Sequence, residues 1–473
     1  MTRFAAFLAA ASLAAPSSAQ VRLVVPEAPL GGFAAPALAA PSLASPALSL
    51  SLPAPVLSPS LTPSLAPALT VAPAGLLAGR AYFDGAAIKG EQPALVDPAA
   101  APRGQTVSLN GTQLPARLFS DQAAISQSLI KAIDATTTSL DIAIHGLALR
   151  EVLAALVRAK NRGVRVRIVM NQTHVFPEKP RDTRTPEVQQ LIDLGFEMRM
   201  LRGGDAFGVM HNKVAIFDGQ ILETGSYNWT HAADTWHFEN AMFHAEAARV
   251  AAYQAYWDWM WSVSSKIPKQ APPIPERPAP DAPRPPPLPA APQDPSRPMS
   301  FNGVRFPAEA FSPGGVTEHL VRAIDASNES IDLAAFSFTS EDLRDALLRA
   351  KGRGVKVRAV FDADQYKYLS EMHWFVENGF DVLLSHGKDG EKGVMHDKFA
   401  VFDGKFVEAG SFNWTRNGER NNYENAMFLS APDDVAAYAA AFGRIRAQAF
   451  APSEDDHAGP HSAPDSFSHP DGL

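Results

Sequence analysis

The sequence predicts an α/β protein of two repeated lobes, each a mixed sheet flanked by helices, and three observations lead there. A long stretch of sequence occurs twice, each copy alternates strand-like with helix-like periodicity, and a proline-dense segment separates the copies.

The repeat changes how every other residue is read. VSLNGTQLPARLFS from Val107 matches MSFNGVRFPAEAFS from Met299, and SLDIAIHGLALREVLAALVRAKNRGVRVRIVM from Ser139 matches SIDLAAFSFTSEDLRDALLRAKGRGVKVRAVF from Ser330 with the same internal spacing. In each copy an apolar run reads as a buried strand, and leucines at helical spacing follow it. Gly163 or Gly354 then stops the helix, and a Val-rich run reads as a second strand. Such a βαβ unit joins parallel strands and calls for a sheet covered by helices.

The lobes are expected at 107–265 and 299–450. Residues 1–19 read as a secretory signal, with Arg3, the apolar run FAAFLAAASLAA, and Ser17 and Ala19 before the cut, so export is expected. That run is shorter than the roughly 20 residues a membrane span needs. Residues 20–106 read as an Ala/Pro/Ser-rich tether, 266–298 as a stiff proline-rich linker and 451–473 as a disordered tail. The tail's His457, His461 and His469 are read as solvated rather than as metal ligands.

The formal net charge is −8. The first lobe is about neutral and the second about five charges negative, which weighs against binding nucleic acid mainly by phosphate neutralisation. There is no cysteine, so disulfides, thiol catalysis and thiolate metal sites are excluded.

The chemistry lies in a third matching block, MHNKVAIFDGQILETGSYNWT from Met210 and MHDKFAVFDGKFVEAGSFNWT from Met395. Residues two apart on a strand share a face, so His211 and Lys213 project together, as do His396 and Lys398. Ser226 with Asn228, and Ser411 with Asn413, form a second such pair on the next strand. Each half thus offers an imidazole, an ammonium, a hydroxyl and an amide, a set suited to a phosphoryl group.

The spacing HxKxxxxDxxxxxxGSxN, present twice and intact, resembles the signature of the phospholipase D superfamily, and the likeness covers both lobes. It implies that the lobes pack about a pseudo-twofold axis with both histidines facing one phosphate. It further implies that one of His211 and His396 attacks phosphorus, while the other protonates the leaving alcohol and then activates water. Lys213, Lys398, Asn228 and Asn413 would hold the non-bridging oxygens, and the scheme requires no metal or cofactor. Glu239 in HFENAM and Glu424 in YENAM stand at the same distance downstream of their histidines, and are read as carboxylates accepting from a histidine's far ring nitrogen. Asp218 and Asp403, which complete the motifs, look structural.

Other features receive plainer readings. Asn212 and Asp397 should point away from the chemistry, and His145, aligned with Phe336, falls outside the paired site. Met210 and Met395 read as core. Arg162, Arg165 and Arg167, matched by Arg353, Lys356 and Arg358, read as a solvated edge. YWDWMW from Tyr256 reads as packing, with peripheral membrane contact as the alternative. The first copy has about six extra residues near RDTRTPEV, a longer loop near the cleft. The expected protein is a monomer whose two lobes form one site, acting on a phospholipid or other phosphodiester. Endonuclease action on nucleic acid and phosphatidyl transfer, as in cardiolipin synthesis, are the alternative activities.

Overall fold

The computed structural model describes residues 105–177, 183–204, 208–273, 288–453 and 456. The expected signal, nearly all of the tether, the middle of the linker, the start of RDTRTPEV and the three tail histidines lie outside the described residues.

Each lobe is built on one eight-stranded mixed sheet. The first runs, edge to edge, Ser265–Lys266, Glu197–Leu201, Arg165–Asn171, Ser139–Ile144, Lys213–Phe217, Ile221–Gly225, Asn240–His244 and Arg117–Phe119. Ser139–Ile144, Arg165–Asn171 and Glu197–Leu201 are parallel, as the βαβ reading requires, and the other neighbours are antiparallel. The second sheet runs Glu309–Ser312, Glu424–Leu429, Phe406–Gly410, Lys398–Phe402, Ser330–Ala335, Lys356–Asp362, Asp381–Gly387 and Gly390–Val394. Its edge hairpin is the main departure from the first.

These strands read as unbroken apolar runs because both sheet faces are buried. Leu140, Ile142 and Ile144 point into a core with Leu129, Ile133 and Leu156 of the helices Ile125–Ala135 and Arg150–Asn161. Ala143, Val214, Ile216 and Leu222 belong instead to a third core shared with Ala334, Phe399, Val401 and Val407 of the other lobe. The helices Ala247–Val263 and Pro432–Gln448 contribute Tyr253, Trp257, Tyr438 and Phe442 to that shared core. Both lobes lie within one compact unit of the chain.

Local signals behave as their chemistry dictates. Gly163 and Gly354 end their helices at φ +91° and +90°, a conformation that glycine adopts without steric cost. Of the edge expected to be solvated, Arg162, Arg165, Arg353 and Lys356 are exposed as expected, whereas Arg167 and Arg358 are half-buried. Arg167 makes two bonds to Asp141, at 2.8 and 2.7 Å, and Arg358 makes two to Asp332, at 2.6 Å each. The Arg167 guanidinium also lies over Trp257, and that of Arg358 over Phe442. The YWDWMW aromatics pack: Tyr256 and Trp257 are buried, Trp259 stacks on Tyr256 and Trp261 on Trp257. No described helix is long and apolar enough to cross a membrane.

Candidate active site

Both HxK motifs meet where the lobes touch, and each is held from both sides. Met210 pairs with Tyr423 and Met395 with Phe238 as isolated parallel bridges between lobes. Three successive N–H groups leading into each histidine are thereby anchored. Val209 donates to Asn422 Oδ1 and Val394 to His237 Nδ1, both in the opposite lobe, at 3.1 Å each. Met210 donates to Asn171 Oδ1 at 3.2 Å and Met395 to Asp362 Oδ2 at 2.9 Å, within their own lobes. The amides of His211 and His396 donate across again, to the carbonyls of Tyr423 and Phe238. Met210 and Met395 are fully buried in the shared core, as expected.

The two imidazoles stand 6.4 Å apart between ring centroids, at 75°. That separation is of the order of two near-attack contacts of about 3–3.5 Å laid end to end. His211, Lys213, Ser226, Asn228, His396, Lys398, Ser411 and Asn413 are all at least nine-tenths buried. Lys213 Nζ donates to the carbonyl of His211 at 2.9 Å, and Lys398 Nζ to that of His396, so each ammonium stays beside its own histidine. Asn228 Oδ1 accepts from Gly146 N at 3.3 Å. Its Nδ2, and Oδ1 of Asn413, are buried without a hydrogen-bond partner among the described residues. Buried polar atoms left in that state call for a partner such as water, an ion or a substrate group.

The downstream acids cross over. His211 Nδ1 lies 2.8 Å from Glu424 Oε2, and His396 Nδ1 lies 2.8 Å from Glu239 Oε1, so each lobe's acid serves the other lobe's histidine. Burial pushes Glu424 up to about 7, although Lys213 and hydrogen bonds from Asn422 and Ser411 pull it down. Ser226 Oγ donates to Glu239 Oε2 at 2.5 Å and accepts from Asn240 N at 3.0 Å. A hydroxyl has one proton, so this serine orients the acid rather than offering a hydrogen bond to phosphate. Ser411 likewise hydrogen-bonds Glu424 and accepts from Asn425 N.

Asp218 and Asp403 are not brought to the histidines. Asp218 stands five residues along the chain from Lys213, roughly 16 Å at about 3.3 Å per residue. Its carboxylate accepts from the backbone N–H groups of Thr137, Thr138 and Ser139 and from Asn110 Nδ2. Asp403 repeats this with Asn328, Glu329, Ser330 and Asn302. Burial acts to raise both carboxyls, but these bonds win and hold them below the usual range.

Several site residues had no reading from the motif. Asn212 and Asp397, expected to be idle, bridge the lobes: Asn425 Nδ2 donates to Asn212 Oδ1 at 2.9 Å, and Asn240 Nδ2 to Asp397 Oδ1 at 2.6 Å. His145, placed outside the site by its alignment with Phe336, lies edge-on to His211 at 5.0 Å, and His237 lies 6.0 Å from His396. Glu223 and Glu408, within the motif blocks, are fully buried carboxyls that burial pushes up to about 8. Their signal was present in the ETGS and EAGS strings, where an acid sits in an otherwise apolar strand.

Two matched lobes with crossed histidine-acid pairs define an α/β protein whose motifs converge on one centre. The family model described as "Cardiolipin synthase, PLD-like domain" matches residues 129–261 and 320–446, more than half of the chain. The chain belongs to the phospholipase D superfamily. It is 32% identical over 123 residues to the mitochondrial cardiolipin hydrolase of Chlamydomonas reinhardtii, covering 26% of this chain and 53% of that protein. To a phospholipase D of Rickettsia conorii it is 32% identical over 127 residues, covering 27% and 62%. The chain thus spans little more than half the length of the curated relatives it matches. The phosphatidylserine synthase structure of Haemophilus influenzae, 11% identical, superposes with a TM-score of 0.53 over 71% of this chain and 86% of that one, a likeness of fold.

Proposed function

We propose that this protein is a phosphodiesterase that hydrolyses a phospholipid head group through a phosphohistidine, leaving phosphatidic acid. The observation that carries the reading is the pair of crossed dyads, His211 with Glu424 and His396 with Glu239. With Nδ1 bound to a carboxylate, each imidazole does its chemistry through Nε2, and the carboxylate steadies the imidazolium.

In the first step His211 Nε2 attacks phosphorus. The bond from phosphorus to the leaving oxygen breaks, and that oxygen takes the proton of His396 Nε2. In the second, neutral His396 takes a proton from water, whose oxygen attacks phosphorus and breaks the P–N bond, restoring both rings. Lys213, Lys398, Asn228 and Asn413 hold the non-bridging oxygens, where charge develops in a site closed to solvent. The reading of His211 as nucleophile rests on the family resemblance.

Phospholipid is favoured as substrate because the similar proteins are named cardiolipin hydrolase and phospholipase D. Residues 1–19, read as a leader, make the working compartment an exported one. The test is to assay the purified full chain, with chelator present, on a phospholipid vesicle panel and on single- and double-stranded DNA. Head-group release with intact DNA supports the reading. Cleavage of DNA alone replaces it with the nuclease reading, and alcohol-dependent exchange without hydrolysis replaces it with a transferase.

A further inference from the structure

The pseudo-twofold gives each residue around one histidine a counterpart around the other, and the two surroundings differ systematically. Asn171 holds the Met210 amide, whereas Asp362 holds that of Met395. Asn212 bridges the lobes beside His211, whereas Asp397 does so beside His396. Both differences place a carboxyl near His396 and a neutral amide near His211.

Both carboxyls accept hydrogen bonds that favour their anions. Asp362 accepts three backbone N–H bonds, from Asp364 at 3.1 Å, Gln365 at 2.9 Å and Met395 at 2.9 Å, and Asp397 accepts from Asn240. Burial opposes this and pushes both up to about 7, so their charge develops around neutral pH. The other groups facing His396 are Glu239, His211, His237, Phe336 and Lys398. His237 accepts the Val394 N–H through Nδ1, the task Asn422 performs in the other half, and an imidazole accepting there carries no charge. Facing His211 are Glu424, the Ser411 carbonyl, Lys213, His396 and His145, the last standing where the other half has Phe336. A proton on His145 would oppose one on His211. The two Asp-for-Asn exchanges and the Phe336-for-His145 exchange therefore favour imidazolium at His396 and neutral imidazole at His211, and the His237-for-Asn422 exchange favours neither.

We infer that Asp362 and Asp397 are positioning residues that commit His396 to proton donation and leave His211 as the nucleophile. The inference rests on the phosphodiesterase reading and adds a physical cause for the unequal roles of two nearly equal halves.

The test compares the full chain with Asp362→Asn, Asp397→Asn and the double variant. Asparagine is what the opposite lobe carries at each position, so the fold already accommodates it. Bis(4-nitrophenyl) phosphate is the probe for adduct formation, quenched and mapped by mass spectrometry, and an alkyl diester is the probe for proton donation. In the wild type the adduct is expected on His211. In the double variant it should divide between His211 and His396, and the alkaline limb of kcat/KM on the alkyl diester should move down by about one pH unit. Asn212→Asp, in an otherwise wild-type chain, should move adduct toward His396 and guards against a folding defect in the first set. Label confined to His211 with unmoved profiles in all variants overturns the inference. A wild type that neither turns over a diester nor forms an adduct overturns the phosphodiesterase reading itself.

Discussion

Glu424 belongs to the second lobe, yet its Oε2 lies 2.8 Å from Nδ1 of His211 in the first. Glu239 returns the contact to His396 at the same distance. Neither lobe contains a complete dyad, so mutational coupling should cross the lobes. Glu239→Gln and Glu424→Gln should each lower kcat by roughly 10²–10⁴. A double-mutant cycle should couple Glu239 with His396 and leave Glu239 with His211 near additive. Coupling within lobes would sink the crossed assignment.

This crossing marks where sequence reasoning stops. The repeat, the βαβ rhythm and the motif residues were legible because each depends on local spacing. Glu239 and Glu424 could be picked out as acids by their matched positions, but which histidine each meets depends on how the lobes dock. The partners His211 and Glu424 are 213 residues apart. Strand alternation predicts Ser226 beside Asn228 as a phosphate donor, but the strand ends at Gly225, and the acid that claims the serine's proton, Glu239, stands just before the next strand. His145 and Asp397 were set aside by alignment and by strand alternation. Both rules hold within one sheet and fail at a centre where a second sheet faces the first.

Because both imidazoles belong to one centre, His211→Ala and His396→Ala should each reduce turnover by at least about 10³, although they lie in different lobes. The rate should not respond to chelator. Steady-state assays on one diester decide this, and a single mutant retaining half of wild-type activity would exclude a shared centre.

Roles within the pair separate by leaving group. A nitrophenolate departs without much help from a proton, so loss of the acid should cost less on that substrate than on an alkyl diester. His396→Ala should still give burst chemistry and a trappable adduct on a nitrophenyl diester, and His211→Ala neither. An adduct on His396 in the wild type would reverse the roles.

The motif aspartates should report on stability and not on chemistry. Asp218→Ala removes the acceptor of three backbone N–H groups and should cost about 1–3 kcal/mol. The remaining folded enzyme should keep its kcat. The sign of the pH dependence follows from the bonds that hold this carboxyl below its usual range. Its stabilisation is complete above the ordinary Asp value near 4 and is lost as pH falls below it. Denaturant melts at pH 7 and pH 3 should therefore differ less for Asp218→Ala than for the wild type. A variant that melts like the wild type but has lost kcat would place Asp218 in the chemistry after all.

Glu223 gives the opposite sign. Both of its carboxyl oxygens are buried without a hydrogen-bond partner among the described residues, and burial pushes it up to about 8. Unfolded, it would titrate near the ordinary Glu value of about 4.3. Between those values the folded chain binds the extra proton, so folding stability falls as pH rises from about 4 to about 8. Glu408 faces the same burial, but its Oε2 accepts from Trp414 Nε1 at 3.3 Å, which offsets part of the cost of ionisation. Glutamine keeps the shape without the charge. Glu223→Gln should thus melt close to the wild type at pH 5 and clearly above it at pH 8, and the corresponding gain for Glu408→Gln should be smaller. Calorimetry at the two pH values isolates these terms from the other buried acids, which are common to all three proteins. Parallel wild-type and Glu223→Gln curves across that range would mean that Glu223 finds a partner or water when it ionises.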